Sequence, residues 1–403
     1  MKNRVLLLLL AIVLTLSLVA FAACKAEEAP PVEEEVWQWP DKIIVAAPGT
    51  DAPAYAPGIA WTTPFAKDTG VTVRVVAEGQ NSLRVLYLKE GKYLCSAERS
   101  SGQPMLESTE EYATRYGGPW QLRLFFPLGV MNIGYVVRGD SDIKTPLDIK
   151  PGMRMPSLAW LPGKPGYGYA SLLAWAGLEP EDITWVPAAN FTAMINYVVE
   201  GKVDVAYGSV TNSPPLYEAE ASPHGIKWLD MNPNKEPEAA ARYYEEFPES
   251  ILGPMTVGVP SCRGIWGEIH LSTYSTSANT DEELVYHAVK WLAENHDKYK
   301  DMHPWCPDMN IDNLMLMAET SFIPLHRGTV RYLEEIGRWT PAHEARWQKN
   351  LALITEYVDG YQAAVDFADE NGIDVDPLNQ EWLDLWYSYR DKLTPLKQYT
   401  GLE

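Results

Sequence analysis

One local pattern occurs twice in this chain and restricts its fold more than any other feature. Asn81-Ser82 precedes a run with Leu83, Leu86 and Tyr87 on one helical face, Gly91 stops it, and Lys92-Tyr93-Leu94-Cys95 resumes as a strand. In the second half Thr192 precedes Met194, Ile195, Val198 and Val199, Gly201 stops the run, and Val203-Asp204-Val205-Ala206-Tyr207 follows as a strand. A side-chain oxygen at the first position and a glycine just past the end satisfy the two sets of orphan backbone groups of a helix, so Ser82 and Thr192 are expected as N-caps. Tyr87 and Glu90-Gly91-Lys92 recur as Tyr197 and Glu200-Gly201-Lys202. Upstream, Lys42-Ile43-Ile44-Val45-Ala46-Ala47 and Thr72-Val73-Arg74-Val75-Val76-Ala77 read as buried strands ending at Pro48-Gly49-Thr50 and Glu78-Gly79. Strands alternating with helical patterns predict an α/β fold with parallel sheets.

Further strands are expected at 133–137 and, returning, at 256–259. Thr280-Asp281-Glu282-Glu283 has the form of a capping box opening a helix with Leu284, Ala288, Trp291 and Leu292 on one face. From Thr340 onward the pattern is helical, broken at Asn371-Gly372 and Asp376-Pro377.

The N-terminus is not part of this pattern. Lys2 and Arg4 precede an apolar run over residues 5–19, and small residues lead to Cys24. The run is shorter than the roughly 20 residues of a spanning helix, and its order is that of an export signal. Phe21-Ala22-Ala23-Cys24 resembles a lipobox, with Phe21 where Leu is usual, and implies lipidation of Cys24. Cleavage after Ala22 into a soluble, secreted protein is the alternative. The Glu-, Ala- and Pro-rich stretch that follows buries too little apolar surface to fold and reads as a tether.

Acidic residues number 54 against 33 basic ones, a formal net charge of −21. Nucleic acid is bound by clustered Lys and Arg, so this balance argues against it and against charge-driven attachment to anionic lipid. Beyond Cys24 there are Cys95, Cys262 and Cys306. An oxidising compartment permits one bridge among them, with Cys262–Cys306 the first pair to test, or three separate buried thiols. No Cys/His spacing suggests a metal, and no cofactor motif is present.

Three segments carry a family resemblance. Val136-Val137-Arg138-Gly139-Asp140-Ser141-Asp142-Ile143-Lys144-Thr145-Pro146-Leu147-Asp148-Ile149-Lys150, then Glu200-Gly201-Lys202-Val203-Asp204-Val205-Ala206, then Ile323-Pro324-Leu325-His326-Arg327-Gly328-Thr329-Val330-Arg331-Tyr332-Leu333 resemble, in order, motifs of the TAXI-family solute receptors of tripartite ATP-independent periplasmic (TRAP) transporters. The resemblance covers about residues 42–337, with Arg327 where proline is more usual. It implies a two-lobe fold of the type II periplasmic-binding-protein kind. The chain then divides into an export signal (1–23), a tether (24–40), the first part of lobe I (41–137), lobe II (138–254), a return to lobe I with hinge helices (255–337) and a helical C-terminal extension (338–403). It also implies a small organic acid or amino acid held in an interlobe cleft and delivered to TRAP permease subunits. A receptor for an ATP-driven importer shares the fold and remains the alternative.

An anion in such a cleft is held by helix N-termini, which nominates Asn81, Ser82 and Thr192, each equally readable as a plain cap. Loops beyond strand C-terminal ends nominate Thr50, Tyr55, Ser96, Ser157, Ser209 and Asn212. Arg99 and Arg138 offer positive charge, Arg138 more simply in a surface ion pair. Trp61, Trp160 and Tyr167 are expected in cleft loops, where they could stack on a flat or apolar ligand body; the departures from family pattern at Ala77-Glu78-Gly79-Gln80-Asn81-Ser82 and over 156–168 fall there too. His326 reads as structural. An exported enzyme is the rival class, but G-x-S-x-G, H-E-x-x-H, Walker A and G-x-G-x-x-G are all missing, and His343-Glu344 lacks a second zinc-binding His. Glu98 and Asp204 are the nearest thing to an acid/base pair.

Overall fold

A computed structural model describes residues 37–402 apart from 51–53, 80, 100–101, 110–111, 159–167, 209–210, 212, 248–250, 398 and 400, and apart from the side chains of 81, 82, 98, 99, 104 and 158. The chain divides into two units, 1–39 and 40–403. In the first, Trp37 and Trp39 meet edge to face at 5.8 Å. All that follows concerns the second.

The chain begins with β1 (Lys42–Ala47), α1 (Tyr55–Thr69), β2 (Thr72–Ala77), α2 (Asn81–Lys89), β3 (Cys95–Arg99) and the short α3 (Gln103–Leu106). β1 lies between β2 and β3, parallel to both, in full register with β2 from Lys42↔Thr72 to Ala47↔Ala77. Parallel neighbours require crossovers, which α1 and α2 supply. α2 ends where the sequence predicts, at left-handed Gly91 (φ 68°), and α1 ends in the same way at Gly70 (φ 76°).

Next comes β4 (Leu122–Arg138), 17 residues and almost wholly buried. β5 (Arg154–Leu158), α4 (Ala170–Ala176), β6 (Thr184–Ala188), α5 (Phe191–Val199), β7 (Ala206–Gly208), α6 (Pro214–Glu220), β8 (Ile226–Trp228), α7 (Pro237–Glu246) and β9 (Ile251–Pro254) follow. β10 (Trp266–Ser277) returns along β4, antiparallel to it. The main sheet runs β2-β1-β3-β10-β4-β7, with β8 on β4 and β9 on β10, while β5 and β6 pair separately.

β4 and β10 each serve two lobes. The start of β4 and the end of β10 (Ser272–Ser275 against β3) belong to the first lobe. The end of β4 pairs with β7 and β8, and the start of β10 pairs with β9, in the second. Their ladder shifts register between Ser272 and Thr273 and between Tyr274 and Ser275. Extra residues on one strand bend and twist it there, and Pro127 is accommodated at the first shift. Beyond the crossing β4 is covered on both faces: Ile133, Tyr135 and Val137 pack with Leu172, Trp175 and Tyr243, while Val136 packs with Ile195, Val198 and Leu216. That is the pleat's period of two, filled by helices on each side.

The expected strand at 133–137 is the last third of β4. The expected strand at 256–259 is not one: β9 ends at Pro254, and the returning strand is β10. Asp281, not Thr280, caps the next helix, α8 (Glu282–Glu294), with its carboxylate accepting from Leu284 N–H at 2.8 Å, because Thr280 bonds Thr276 instead. α9 (Ile311–Thr320) and α10 (Arg327–Glu335) complete the first lobe. Cys95, Cys262 and Cys306 are buried free thiols, so the Cys262–Cys306 bridge is not formed.

The C-terminal extension is a helical hairpin, α11 (Pro341–Asn371) and α12 (Gln380–Arg390), capped by Thr340 and ended by Gly372 at φ 71°. It encloses its own core of Tyr361, Ala364, Val365, Ala368, Trp382 and Trp386. Three aromatic donors seat it on the segment leading into β4: Trp386 Nε1 donates to Glu107 O, Trp382 Nε1 to Ala113 O and Tyr361 O–H to Thr114 O, each at 2.8 Å.

Candidate functional site: the interlobe gap

Strand direction fixes where a site can lie. β3 is antiparallel to β10, and β10 to β4, so β1, β2 and β3 run with β4 from the first lobe toward the second. β7 is antiparallel to β4 and runs back toward the first lobe. Their C-terminal ends therefore point at one gap, the position where open α/β sheets bind ligands.

In the second lobe three strand exits converge on Tyr207 of β7. Gly168, which ends the connection from β5, lies on the Tyr207 ring so closely that a Cβ there would stand 2.9 Å from a ring carbon. Its φ of +83° independently favours glycine. Phe191, first residue of α5 after β6, has its ring centroid 6.4 Å from that of Tyr207. Tyr169 O–H accepts from the Tyr207 backbone N–H at 2.9 Å and fixes the strand end.

The β4–β10 ladder closes the gap between the lobes. There Asn132 Nδ2 donates to Val257 O at 2.8 Å, and the backbone N–H of Thr211, in the connection after β7, donates to Asn132 O at 3.1 Å. Thr211 Oγ1 also donates to Val257 O. Gly258 makes this junction possible, since a Cβ would come within 2.4 Å of Thr211 Oγ1. Beside it is a buried polar cluster. Ser171 O–H donates to Glu268 Oε1, Glu268 Oε2 stands 3.0 Å from His270 Nε2, and the Tyr135 hydroxyl lies 2.6 Å from Ser171 Oγ and 2.9 Å from Gly168 O. Burial holds the Tyr135 phenol well above its ordinary pKa, so it stays a neutral donor. The cluster ties the end of the β5 connection to both crossing strands.

The residues nominated from sequence separate on this frame. Thr50 is exposed in the turn after β1, and Tyr55 opens α1, half-buried. Asn81 opens α2 and Arg99 ends β3, both at the gap. Ser82 is not the N-cap, because α2 already begins at Asn81. Thr192 is not a cap either: Asn190, with extended backbone (φ −163°), accepts from Ala193 N–H at 2.9 Å, and Thr192 is exposed in the first turn. Ser96 is fully buried within β3 rather than beyond it. Ser157 is half-buried inside β5.

Trp61 corrects the expectation of a cleft aromatic. It lies within α1, is 0 % exposed, donates from Nε1 to Tyr274 O–H at 3.0 Å and packs on Phe65. Trp160, Tyr167, Ser209, Asn212 and Cys24 lie outside the described residues. Arg138 pairs with Asp140 at 2.6 Å on the surface, as its simpler reading expected. Asp204 is committed to Arg154, whose guanidinium reaches it at 2.6 Å, so it is not half of an acid/base pair. His326 is structural: it caps α10, its Nδ1 accepting from Gly328 N–H.

Among the described residues no His/Cys/Asp/Glu group could hold a metal, and no helix is long and apolar enough to cross a membrane.

The sequence matches the profile of the NMT1-like family over residues 56–337. No curated protein matches it. Among solved structures, the periplasmic aliphatic sulphonate binding protein SsuA from Escherichia coli is 12% identical, covering 91% of this chain and 96% of its own, with a TM-score of 0.40. The probable amino-acid ABC transporter extracellular-binding protein YtmK from Bacillus subtilis is 10% identical, covering 65% and 95%, with a TM-score of 0.38. The L-cystine solute receptor of Neisseria gonorrhoeae, in its unliganded open conformation, is 21% identical, covering 51% and 84%, with a TM-score of 0.31.

Proposed function

This chain belongs to the NMT1-like family, and we propose that it is an extracytoplasmic solute-binding protein that captures a small organic anion of the carboxylate class between its lobes and hands it to a TRAP-type permease. One observation carries the binding site: the opposed directions of β1–β3 and β7, which aim the strand exits of both lobes at one gap. The first turns of α2 and α5 stand at that gap, and the N–H groups of a helix's first turn are suited to a carboxylate. Delivery to a TRAP permease rests on the three motif segments described above. Attachment to the outer face of the cytoplasmic membrane through lipidated Cys24 rests on the lipobox-like sequence.

A ligand that binds only the folded state stabilises it by about 2.7 kcal/mol at a hundredfold excess over Kd. Thermal unfolding in the presence of organic acids and amino acids tests the binding step: at least one acid raises the midpoint, and a flat response across the panel contradicts it. A neighbouring gene for a fused, many-spanned permease supports the TRAP assignment; a neighbouring ATPase gene assigns the receptor to an ABC importer instead.

A further inference from the structure

α5 carries an apolar stripe that overruns its core. Phe191, Met194, Ile195 and Val198 fall at helical spacing. Met194, Ile195 and Val198 are buried, whereas Phe191 is 42% exposed. Phe191 stands at the end of the helix that follows β6, above the strand exits, where the layer of packed side chains stops. Its ring meets that of Tyr207, which is only 7% exposed. The Tyr207 ring is itself held by Gly168 beneath it and by Tyr135 and Tyr169, at 5.8 and 6.1 Å. The result is a fixed aromatic floor with one ring standing open, where Gly168, the start of α5 and the end of β7 come together.

We propose that Phe191, backed by Tyr207, is the specificity-determining wall of the interlobe site and that it selects carboxylates bearing an aromatic or branched apolar body. This rests on the receptor reading above and narrows its ligand class. An exposed ring on a rigid support loses little entropy on stacking, and covering it removes apolar surface from water. The first-turn N–H of Thr192, next to it in the chain, is suited to the carboxylate end. A short dicarboxylate or glutamate has no apolar body to cover the ring and gains nothing from it.

The test is calorimetry on the full chain in detergent with 3-phenylpropanoate, phenylalanine, leucine, succinate and glutamate, for the wild type and for Phe191→Ala and Phe191→Leu. Thermal unfolding without ligand serves as the folding control, and a residue this exposed leaves the midpoint nearly unchanged when truncated. The expected result is that acids with an aromatic or branched body bind the wild type and that Phe191→Ala weakens them on the order of 10-fold. Phe191→Leu restores most of the binding of leucine but not of 3-phenylpropanoate. Wild-type binding of the apolar-bodied acids that Phe191→Ala leaves unchanged overturns the assignment. Binding of succinate or glutamate alone also overturns it while leaving the receptor reading standing. Binding of no probe removes both.

Discussion

Glu268 and His270, two positions apart on β10, meet at 3.0 Å between Oε2 and Nε2, just where that strand passes from one lobe to the other. A spacing of two puts both side chains on one face of a strand. The shared carboxylate also accepts from Ser171 at the start of α4, so one buried group joins the crossing strand to the second lobe. Glu268→Ala strands Ser171 and His270 and is expected to cost about 1–3 kcal/mol. Glu268→Gln costs less, because the amide oxygen still accepts from Ser171. Urea unfolding midpoints check the order; equal midpoints for the wild type and Glu268→Ala show that the cluster does not form.

His326 sets a pH dependence. Its Nδ1 accepts from Gly328 N–H at 3.1 Å and its Nε2 faces Thr280 O at 3.1 Å, an arrangement that needs the neutral ring. Burial lowers its pKa to about 4, with nearby Arg123 acting the same way. The unfolded chain binds this proton near pH 6.5, so between about pH 6.5 and pH 4 the unfolded state holds more protons than the folded one. The contribution is complete above that window and is lost as pH falls through it, roughly 3 kcal/mol in all. His326→Asn should flatten the stability profile between pH 6.5 and 4 relative to wild type. Parallel profiles would contradict the assignment.

The C-terminal hairpin is held by packing and aromatic donors rather than by charge. Arg115 and Asp369 form a bidentate pair, but their side chains are 41% and 52% exposed, and such pairs contribute about 0–1 kcal/mol. Trp382 is wholly buried against Tyr361, and Trp382→Ala should cost about 3–5 kcal/mol. Gly118→Ala should be costly too, since its Cβ would meet the Tyr361 ring at 2.2 Å. Denaturant midpoints for Arg115→Ala and Trp382→Ala give the comparison; a larger loss for Arg115→Ala reverses it.

The alternating strands and helices, the glycine stops and the all-helical C-terminus were legible because each has a local cause. Gly91, Gly201 and Gly372 all take the left-handed conformation that the pattern requires. β10 was not legible. Ser272-Thr273-Tyr274-Ser275-Thr276-Ser277 lacks the apolar density of a buried strand, yet it lies in the middle of the sheet, where its β-branched and aromatic residues fit the pleat. Trp61 was misplaced because Pro57 and Pro64 make α1 look like a loop. The choice of Asn190 over Thr192 as cap depends on which residue takes extended backbone, and both side chains are competent. Phe191 carried a readable signal, an apolar residue in register with Met194, Ile195 and Val198, but only the three-dimensional end of the core shows that its ring is open.

Cys24 is the proposed site of the lipid anchor. Metabolic labelling with a fatty acid should mark the mature protein, and Cys24→Ala should abolish the label and release the protein from membranes or block its processing. A mature N-terminus at Ala23 with an unmodified cysteine contradicts lipidation.

The two lobes joined by β4 and β10 are proposed to close on a small organic anion. Thr63 on α1 and Glu218 on α6 are exposed, one on each lobe, and the native thiols Cys95, Cys262 and Cys306 are buried. Cysteines placed at 63 and 218, in a Cys24→Ala background, accept a pair of spin labels whose separation can be measured directly. Saturating 3-phenylpropanoate should transfer population to a shorter separation, with the midpoint of that transfer matching the calorimetric Kd. A distance distribution unchanged by an acid that binds contradicts closure of the lobes on ligand.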